Sequence, residues 1–478
     1  MRGRTVGLVA VLAAGFLDLL NVTVVNVALP TLIAELPATP AEAQGILTGY
    51  TVSFAVGLIT GARLGRMFGL RRVFVLGTVG FAAASLLCGL SGSATVLIVG
   101  RVLQGLAAAV MVPQVLALIQ VMYPPEERAR PMAAFSALLG AAASLGPIVG
   151  GLLVGLGEPQ LGWRAVFLVN VPIAAAAAAV AAARVPEHRA PRTAGLDLPG
   201  LALAAAAAVL LLGGLSGLAN PGGLIFEIAA VSAGIGLLAG FLAQQRAADR
   251  RGGTPLVPLA LQGRGTFRAA TGVQLLFFIP VMGFSLVITQ YLQTYLGYSP
   301  LAAGLLVLPW SVLVGVGAGL GSTALLPRWG RLVVTVGLLV MAAGIGAVAA
   351  VVTTVPAGPS WWQLLPGVAV GGLGMGLVVA PLTEIALREV PVDLASEASG
   401  IYNSVGQLSA ALGFATLGAV FFALTATAGP GDRAFVTATT TALLAGSAIA
   451  VVAAAVTGAL PRRLAAAPAT RPGQPAPR

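Results

Sequence analysis

One carboxylate lies in the middle of a long apolar run: Asp18, within VGLVAVLAAGFLDLLNVTVVNVAL, with no other acid until Glu35. On insertion scales an ionised acid at the centre of a membrane-crossing helix costs about 2.5–3.5 kcal/mol, so an acid kept there faces a wet cavity or partners. Such a group can bind and release a proton, as coupling transport to a proton gradient requires. The alternative is a structural acid bonded to neighbouring backbone or side chains. Asn21 follows one turn later on nearly the same face. Arg101 is the one arginine clearly inside an apolar run, and its guanidinium needs acceptors or water. Gln104, one turn on, can share that network; a structural anchor on backbone carbonyls explains Arg101 equally well. Asn26, Tyr291, Gln293, Asn403 and Gln407 are polar groups in otherwise apolar runs and are candidates to line a cavity. Glu384 and Glu227 lie near the ends of such runs, where either can snorkel to water.

Other chemistries find little support. A single Cys88 excludes an intramolecular disulfide and a multi-cysteine metal site, and the only histidine, His188, sits in a charged loop. With no His, Cys and carboxylate cluster, no metal, no cofactor and no enzyme activity are expected. The glycine string GGLGMG at 371–376 lies inside an apolar run and follows no strand. The net charge of +11 comes from arginines scattered at the ends of apolar runs, which fits membrane topology and not nucleic-acid binding.

Those runs are the elements that must position Asp18 and Arg101. Of 478 residues 58% are hydrophobic and only 9% charged, against about 25% charged in soluble domains. Apolar stretches near the ~20 residues needed to cross a ~30 Å hydrocarbon core recur along the chain. The opening MRGR with its apolar run has no small-residue cleavage site and is read as a first span, not a secretory signal. Spans are expected at 7–29, 45–64, 73–90, 96–123, 132–156 and 164–185, then a pair at 198–218 and 224–244. Six more follow at 267–292, 301–326, 332–355, 361–387, 399–424 and 435–460. The fold class is thus an all-α integral membrane protein of fourteen spans. Residues 1–190 form a first six-helix half, 191–250 a central two-helix insertion, 251–460 a second six-helix half, and 461–478 an Ala/Pro/Arg tail expected to be disordered. All 26 basic residues are arginine, and 23 of them fall on the face that holds both termini, leaving Arg101, Arg164 and Arg433 elsewhere. The positive-inside rule makes the loaded face cytoplasmic. Because Glu384 belongs to a six-helix half and Glu227 does not, Glu384 is the better second functional acid.

Six segments then carry a resemblance across nearly the whole chain. DLLNVTVVNVALP (18–30), RVLQG (101–105), GPIVGG (146–151), WRAVFLVNVP from Trp163, YLQTYLGYSPLAAG from Tyr291 and GIYNSVGQLSAALG from Gly400 together resemble the fourteen-spanner drug:proton antiporters of the major facilitator superfamily. The resemblance implies the major facilitator fold in a bacterial plasma membrane, alternating access between two halves, and no cofactor beyond the proton gradient. Its implied partners are a lipophilic small molecule, protons and membrane lipid, with the protein a monomer. It also implies that the first and fourth spans line one cavity, so that Arg101 tunes the proton affinity of Asp18. Many relatives have an acid where this chain has Asn21, which leaves Asp18 alone in the first half. GPIVGG resembles the fifth-helix antiporter motif that seals the cavity against leakage; in it Pro147 lacks a backbone donor, and Gly146, Gly150 and Gly151 expose backbone for close packing or bending. The loop ARLGRMFGLRRVF from Ala62 is similar to the superfamily's cytoplasmic gate motif through Gly69, Arg71 and Arg72, but has Arg66 and Met67 where the motif has Asp-Arg. A dedicated exporter of one endogenous metabolite, antibiotic or lipid is the main alternative, and a non-transporting sensor or scaffold a more distant one.

Overall fold

In lipid every backbone polar group must find its partner within the protein, and an uninterrupted helix does this segment by segment. The computed structural model describes residues 2–124, 127, 129–157, 161–188, 195–217, 224–355, 358–391, 394–425 and 433–461, and among these it is helical with no strand. The segment expected to be a disordered tail, from residue 462 on, lies outside the described residues.

The first six spans are α1 (Arg2–Glu35), α2 (Pro40–Phe68), α3 (Leu70–Gly89), α4 (Ala94–Met122), α5 (Ala129–Gly157) and a sixth made of α6 (Ala165–Leu168) and α7 (Asn170–Arg184). A central pair follows, α8 (Leu198–Gly217) and α9 (Leu224–Arg250), and the short α10 (Leu259–Gln262) leads into the rest. The last six are α11 (Gly265–Gln290), α12 (Pro300–Leu320) with the short α13 (Leu326–Trp329), α14 (Leu332–Thr354), α15 (Trp361–Arg388), α16 (Ala395–Thr425) and α17 (Arg433–Val456). Thirteen helices among the described residues are long and apolar enough to cross a membrane, and α5, at 29 residues, is consistent with a fourteenth. The face that holds the start of α1 and the end of α17 is called the terminal face, the other the far face.

Several expected boundaries shift. α1 exceeds 7–29 by more than a turn at its far-face end, and α11 and α12 run on through π-helical turns at Tyr291–Tyr295 and Gly321–Leu325. Hydropathy ends where charge begins, but a helix continues until its backbone is capped, here by Thr39 with Glu42, Ser93, Ser299 and Ser360 at far-face starts. Arg66, expected in the loop beyond residue 64, lies within α2.

The two sets of six pack alike. In the first, α2 and α3 lie on α4, α1 on α5, and α7 on α3 and α1; in the second, α12 and α14 lie on α15, α11 on α16, and α17 on α14 and α11. The sets meet where α2 touches α16, α5 touches α12 and α1 touches α11. One apolar core runs through the second set and reaches into the first near the far face, where it joins Leu20, Val24 and Ala28 of α1 with Leu286 and Ile288 of α11 and Ala303 of α12. A separate core toward the terminal face, including Ala10, Ala14, Phe54 and Ile119, draws on the first six spans alone.

The central pair is attached to one edge of this arrangement. Ala208 and Leu212 of α8 pack with Val52 of α2 and with Ala411 and Ala415 of α16, and α9 rests on α8. Arg63, buried, donates to the carbonyls of Gly195 at 3.3 Å, Thr254 at 2.9 Å and Pro255, so one guanidinium holds both segments that flank the pair. Asp197 caps α8 at the Gly200 N–H (2.9 Å) and accepts from Gln244 (3.0 Å) and Gln245 (2.6 Å). Burial pushes its carboxyl up, but these bonds and one from the Leu256 backbone outweigh that and hold it below the ordinary range.

The glycine string at 371–376 serves packing. A Cβ on Gly374 would meet the Met341 N–H and stand 2.6 Å from the Gly337 carbonyl, so α14 and α15 touch backbone to backbone. Gly374→Ala is therefore expected to lower stability by roughly 1–3 kcal/mol, the usual cost of overpacking, measured as a fall in Tm of the detergent-purified protein against wild type.

Candidate functional site

Asp18 stands at the midpoint of α1 and is the only buried carboxylate among the described residues. The Tyr50 hydroxyl of α2 donates to its Oδ1. The guanidinium of Arg101 lies over the Tyr50 ring, 4.3 Å from its centroid, a cation–π contact made where water is excluded. Arg101 donates from Nε to the Ile46 carbonyl at 3.0 Å and from Nη1 to Gln104 Oε1 at 2.6 Å, and Gln104 donates to Ser85 Oγ at 2.7 Å. A continuous polar chain thus runs from α1 through α2 and α4 to α3, inside otherwise apolar helices.

The sequence places Arg101 beside Asp18; the structure sets Tyr50 between them, and no ion pair joins them among the described residues. This intermediary changes the chemistry. A phenol donates to a carboxylate and accepts from a carboxylic acid, so Tyr50 serves Asp18 in both protonation states. Tyr50 went unread because ILTGYTVSF looks like ordinary span; the available signal is that a phenol at mid-membrane needs a partner. Asn21, one turn from Asp18, is buried beside the Tyr50 hydroxyl.

The other expected residues separate into groups. Asn26 donates to Ser285 Oγ at 2.6 Å and Gln293 to the Val27 carbonyl at 2.9 Å, so both bridge α1 and α11 near the far face. Tyr291 is buried on the same seam, stacked on Tyr295 with ring centroids 5.2 Å apart. Asn403 is exposed and donates to its own helix at Ser399, and Gln407, one turn on, is half-buried. Glu384 is exposed and pairs at 3.9 Å with Arg388 on its own helix; the structure does not bring it to Asp18.

In the antiporter motif, Cβ atoms on Gly146 and Gly150 would meet Thr23 and Val24 of α1. One on Gly151 would lie 2.5 Å from Leu301 Cα of α12, and the Pro147 carbonyl fills the space a side chain on Gly304 would need. The motif is wedged between α1 and α12, across the two sets of spans. At the terminal face Arg66 pairs at 3.1 Å with Glu397 of α16, so the position where the gate motif has an acid here holds a cation that finds its acid in the other set. Gly69, at φ 107°, takes a conformation open to glycine and is followed by Arg71 and Arg72, each 3.6 Å from Glu187. Neither Glu397 nor Glu187 was marked by the sequence, because acids at span ends look like solvated ones.

Two sets of membrane-crossing helices with the same internal packing, one of them enclosing a buried acid, define the class as a polytopic transporter. A profile described as Major Facilitator Superfamily matches residues 11–414, and the chain belongs to that superfamily. It is similar to the probable actinorhodin transporter of Streptomyces coelicolor, at 41% identity over 88% of this chain and 73% of the relative. It is likewise similar to the tetracenomycin C resistance and export protein of Streptomyces glaucescens (34%, covering 87% and 76%) and to a puromycin resistance protein of Streptomyces alboniger (34%, covering 88% and 82%). Among solved structures, a bacterial homologue of the human lysosomal transporter Spinster in an inward-facing, occupied conformation aligns with TM-score 0.67 at 17% identity, over 94% of this chain and 95% of that one, which shows the fold. These relatives are transporters and not enzymes.

Tyr50→Phe removes the hydroxyl and leaves the ring beneath Arg101. Transport driven by a pH gradient in proteoliposomes is expected to fall at least about tenfold, the effect of losing one hydrogen bond to a charged group, with Tm changed little; unchanged transport would show that Asp18 does not need the phenol.

Proposed function

We propose that the protein exports lipophilic small molecules from the cytoplasm or inner leaflet in exchange for protons, with Asp18 as the principal proton site. The carrying observation is that Asp18 is buried at mid-span, bonded to Tyr50 and flanked by Arg101. In this reading the first and last six spans rock as two halves around the cavity. A proton reaching Asp18 from the far face displaces the substrate, and its release toward the terminal face resets the carrier. Asn21, buried beside Asp18 and Tyr50, is the polar group best placed to bond substrate beside the proton site. The seam of Asn26, Ser285 and Gln293 forms the far-face closure, the Gly146–Gly151 motif keeps it tight, and the Arg66–Glu397 pair latches the terminal face. One proton moving down 100 mV supplies about 2.3 kcal/mol, enough for roughly a 50-fold gradient of a neutral substrate. If Asp18 alone couples, exchange against a monocation is electroneutral and driven by pH alone; Glu384, exposed beside Arg388, is the next acid to test for a second coupling site.

A second reading, a dedicated exporter of one endogenous antibiotic or metabolite, is favoured by the relatives named for actinorhodin and tetracenomycin C. An efflux panel spanning lipophilic cations, neutral drugs and polycyclic aromatic metabolites separates the two, since a dedicated exporter moves one class.

In vesicles with an imposed pH gradient, Asp18→Asn is expected to abolish uphill efflux and substrate-induced proton release while retaining substrate binding. A gradient still built by that variant and collapsed by a protonophore would place the proton elsewhere.

The arginine distribution supports a cytoplasmic terminal face. With Cys88 replaced by serine, a cysteine at Gly92 is expected to react with an impermeant maleimide on intact cells and one at Gly252 to stay unlabelled; the reverse pattern would invert the orientation.

A further inference from the structure

The carrier cycle leaves the central pair without a task, and it makes no use of Gln44 of α2, which is fully buried near the far-face end of that helix. With its amide turned to suit its neighbours, the Gln44 nitrogen donates to Ser216 Oγ of α8 at 3.0 Å and to the Ala415 carbonyl of α16 at 3.1 Å, and the oxygen accepts from the Ala419 N–H at 3.2 Å. Ala415 and Ala419 are the two ends of one i to i−4 rung of α16, so a single side-chain amide grips both partners of that rung. Gly418 makes room for it: a Cβ there would stand 3.4 Å from Gln44 Cδ. The joint takes in three helices, one from each set and one from the pair.

Hydrogen bonds among the described residues tie the pair to the first set. At the terminal face Arg63 of α2 holds the segment before α8 and the segment after α9 by the carbonyls of Gly195, Thr254 and Pro255. Those segments are also tied to each other and to the pair: the Thr254 hydroxyl donates to the Gly195 carbonyl at 3.1 Å, and the Val257 N–H to Gln245 Oε1 at 2.9 Å. At the far face Gln44 reaches Ser216. The pair is thus bonded to α2 near both ends of α8, whereas α8 meets α16 through apolar side chains, Ala208 and Leu212 against Ala411 and Ala415. Faces of alanine can slide or separate, but a buried guanidinium deprived of its carbonyls would be left unpaired at high cost. The chain passes to the second set over the few residues between Val257 and Leu261, which is buried in the core of that set.

We propose, on the rocking of two halves set out above, that the central pair moves as one body with the first set, and that Gln44 is the detachable joint by which this body closes on α16 at the far face. When the halves part there, the amide gives up the Ala415–Ala419 rung and keeps Ser216, which travels with it. Both bonds given up are neutral, so water in the opened cleft replaces them at small net cost, and α16 regains an ordinary rung. The pair supplies Gln44 with a partner that is present in both positions of the carrier.

The measurement is double electron–electron resonance between spin-labelled cysteines in the Cys88→Ser protein, held in nanodiscs at acid and alkaline pH. Labels go at Ala34 on α1, Ala423 on α16 and Phe226 on α9, all exposed and near the far face. The Ala34–Ala423 pair is expected to show a short and a long distance whose ratio responds to pH, Phe226–Ala34 one distance throughout, and Phe226–Ala423 to follow Ala34–Ala423. Gln44→Leu keeps the bulk and cannot bond; it is expected to raise the long-to-short ratio of Ala34–Ala423 at least about fivefold. Ser216→Ala, the variant to use should leucine disturb folding, raises it about threefold. A lowered Tm with wild-type ratios in these variants would make Gln44 a packing residue and overturn the joint. A Phe226–Ala34 distance that changes while Phe226–Ala423 holds would assign the pair to the second set and overturn the single body. One unvarying Ala34–Ala423 distance in wild type would sink the rocking of the halves and this proposal with it, whereas two distances left untouched by Gln44→Leu would sink this proposal alone.

Discussion

In hydrocarbon a polar group without a partner has no water to turn to, and this single constraint organises the protein. It makes the chain helical, because only an uninterrupted helix satisfies its own backbone. It also makes each polar side chain inside a span an obligation that some other helix must meet. Asp18 is met by Tyr50, Arg101 by Ile46 and Gln104, and Gln104 by Ser85. The first four spans are thereby held in register by one chain of bonds, with the acid at its end. Changing the charge on Asp18 changes what Tyr50 and Arg101 must do, so a protonation event at one atom is felt on three helices.

The same constraint bears on how firmly the two sets of spans are joined. Their shared far-face contact mixes apolar packing with a few neutral hydrogen bonds, Asn26 to Ser285 and Gln293 to a carbonyl. Neutral polar groups exchange partners for water at little net cost, about 0.5–1.5 kcal/mol each. A seam closed by buried ion pairs would resist opening far more. At the terminal face the one ion pair between the sets among the described residues, Arg66 with Glu397, is partly exposed, where such pairs are weak and water already competes.

The sequence carried the membrane architecture well, because run length and arginine placement are direct consequences of the bilayer. It marked Asp18, Arg101 and Gln104 for the same reason: ionised or amide groups stand out against leucine and alanine. It did not mark Tyr50, since a phenol counts as apolar until its hydroxyl is asked for a partner. It also did not mark Arg63, which at the end of a span among neighbouring arginines looks solvated, whereas the helix continues past it and buries it on carbonyls 132 to 192 residues away. Glu384 stood out on the page for the reason Asp18 did, yet it lies where its own helix supplies the counter-charge. Depth within the span, and not the presence of charge, separates the two.

The position of α8 breaks the symmetry that the two sets of spans otherwise share. It stands against the α2–α16 edge, where Gln44, with its amide turned to suit its neighbours, donates to Ser216 of α8 at 3.0 Å and to the Ala415 carbonyl of α16 at 3.1 Å. The matching edge, between α5 and α12, has no such helix across it among the described residues. A molecule diffusing in the bilayer therefore meets a shuttered flank on one side and an unshuttered one on the other: the inserted pair leaves the two seams between the sets unequally exposed to lipid, one covered by a third helix and one bare.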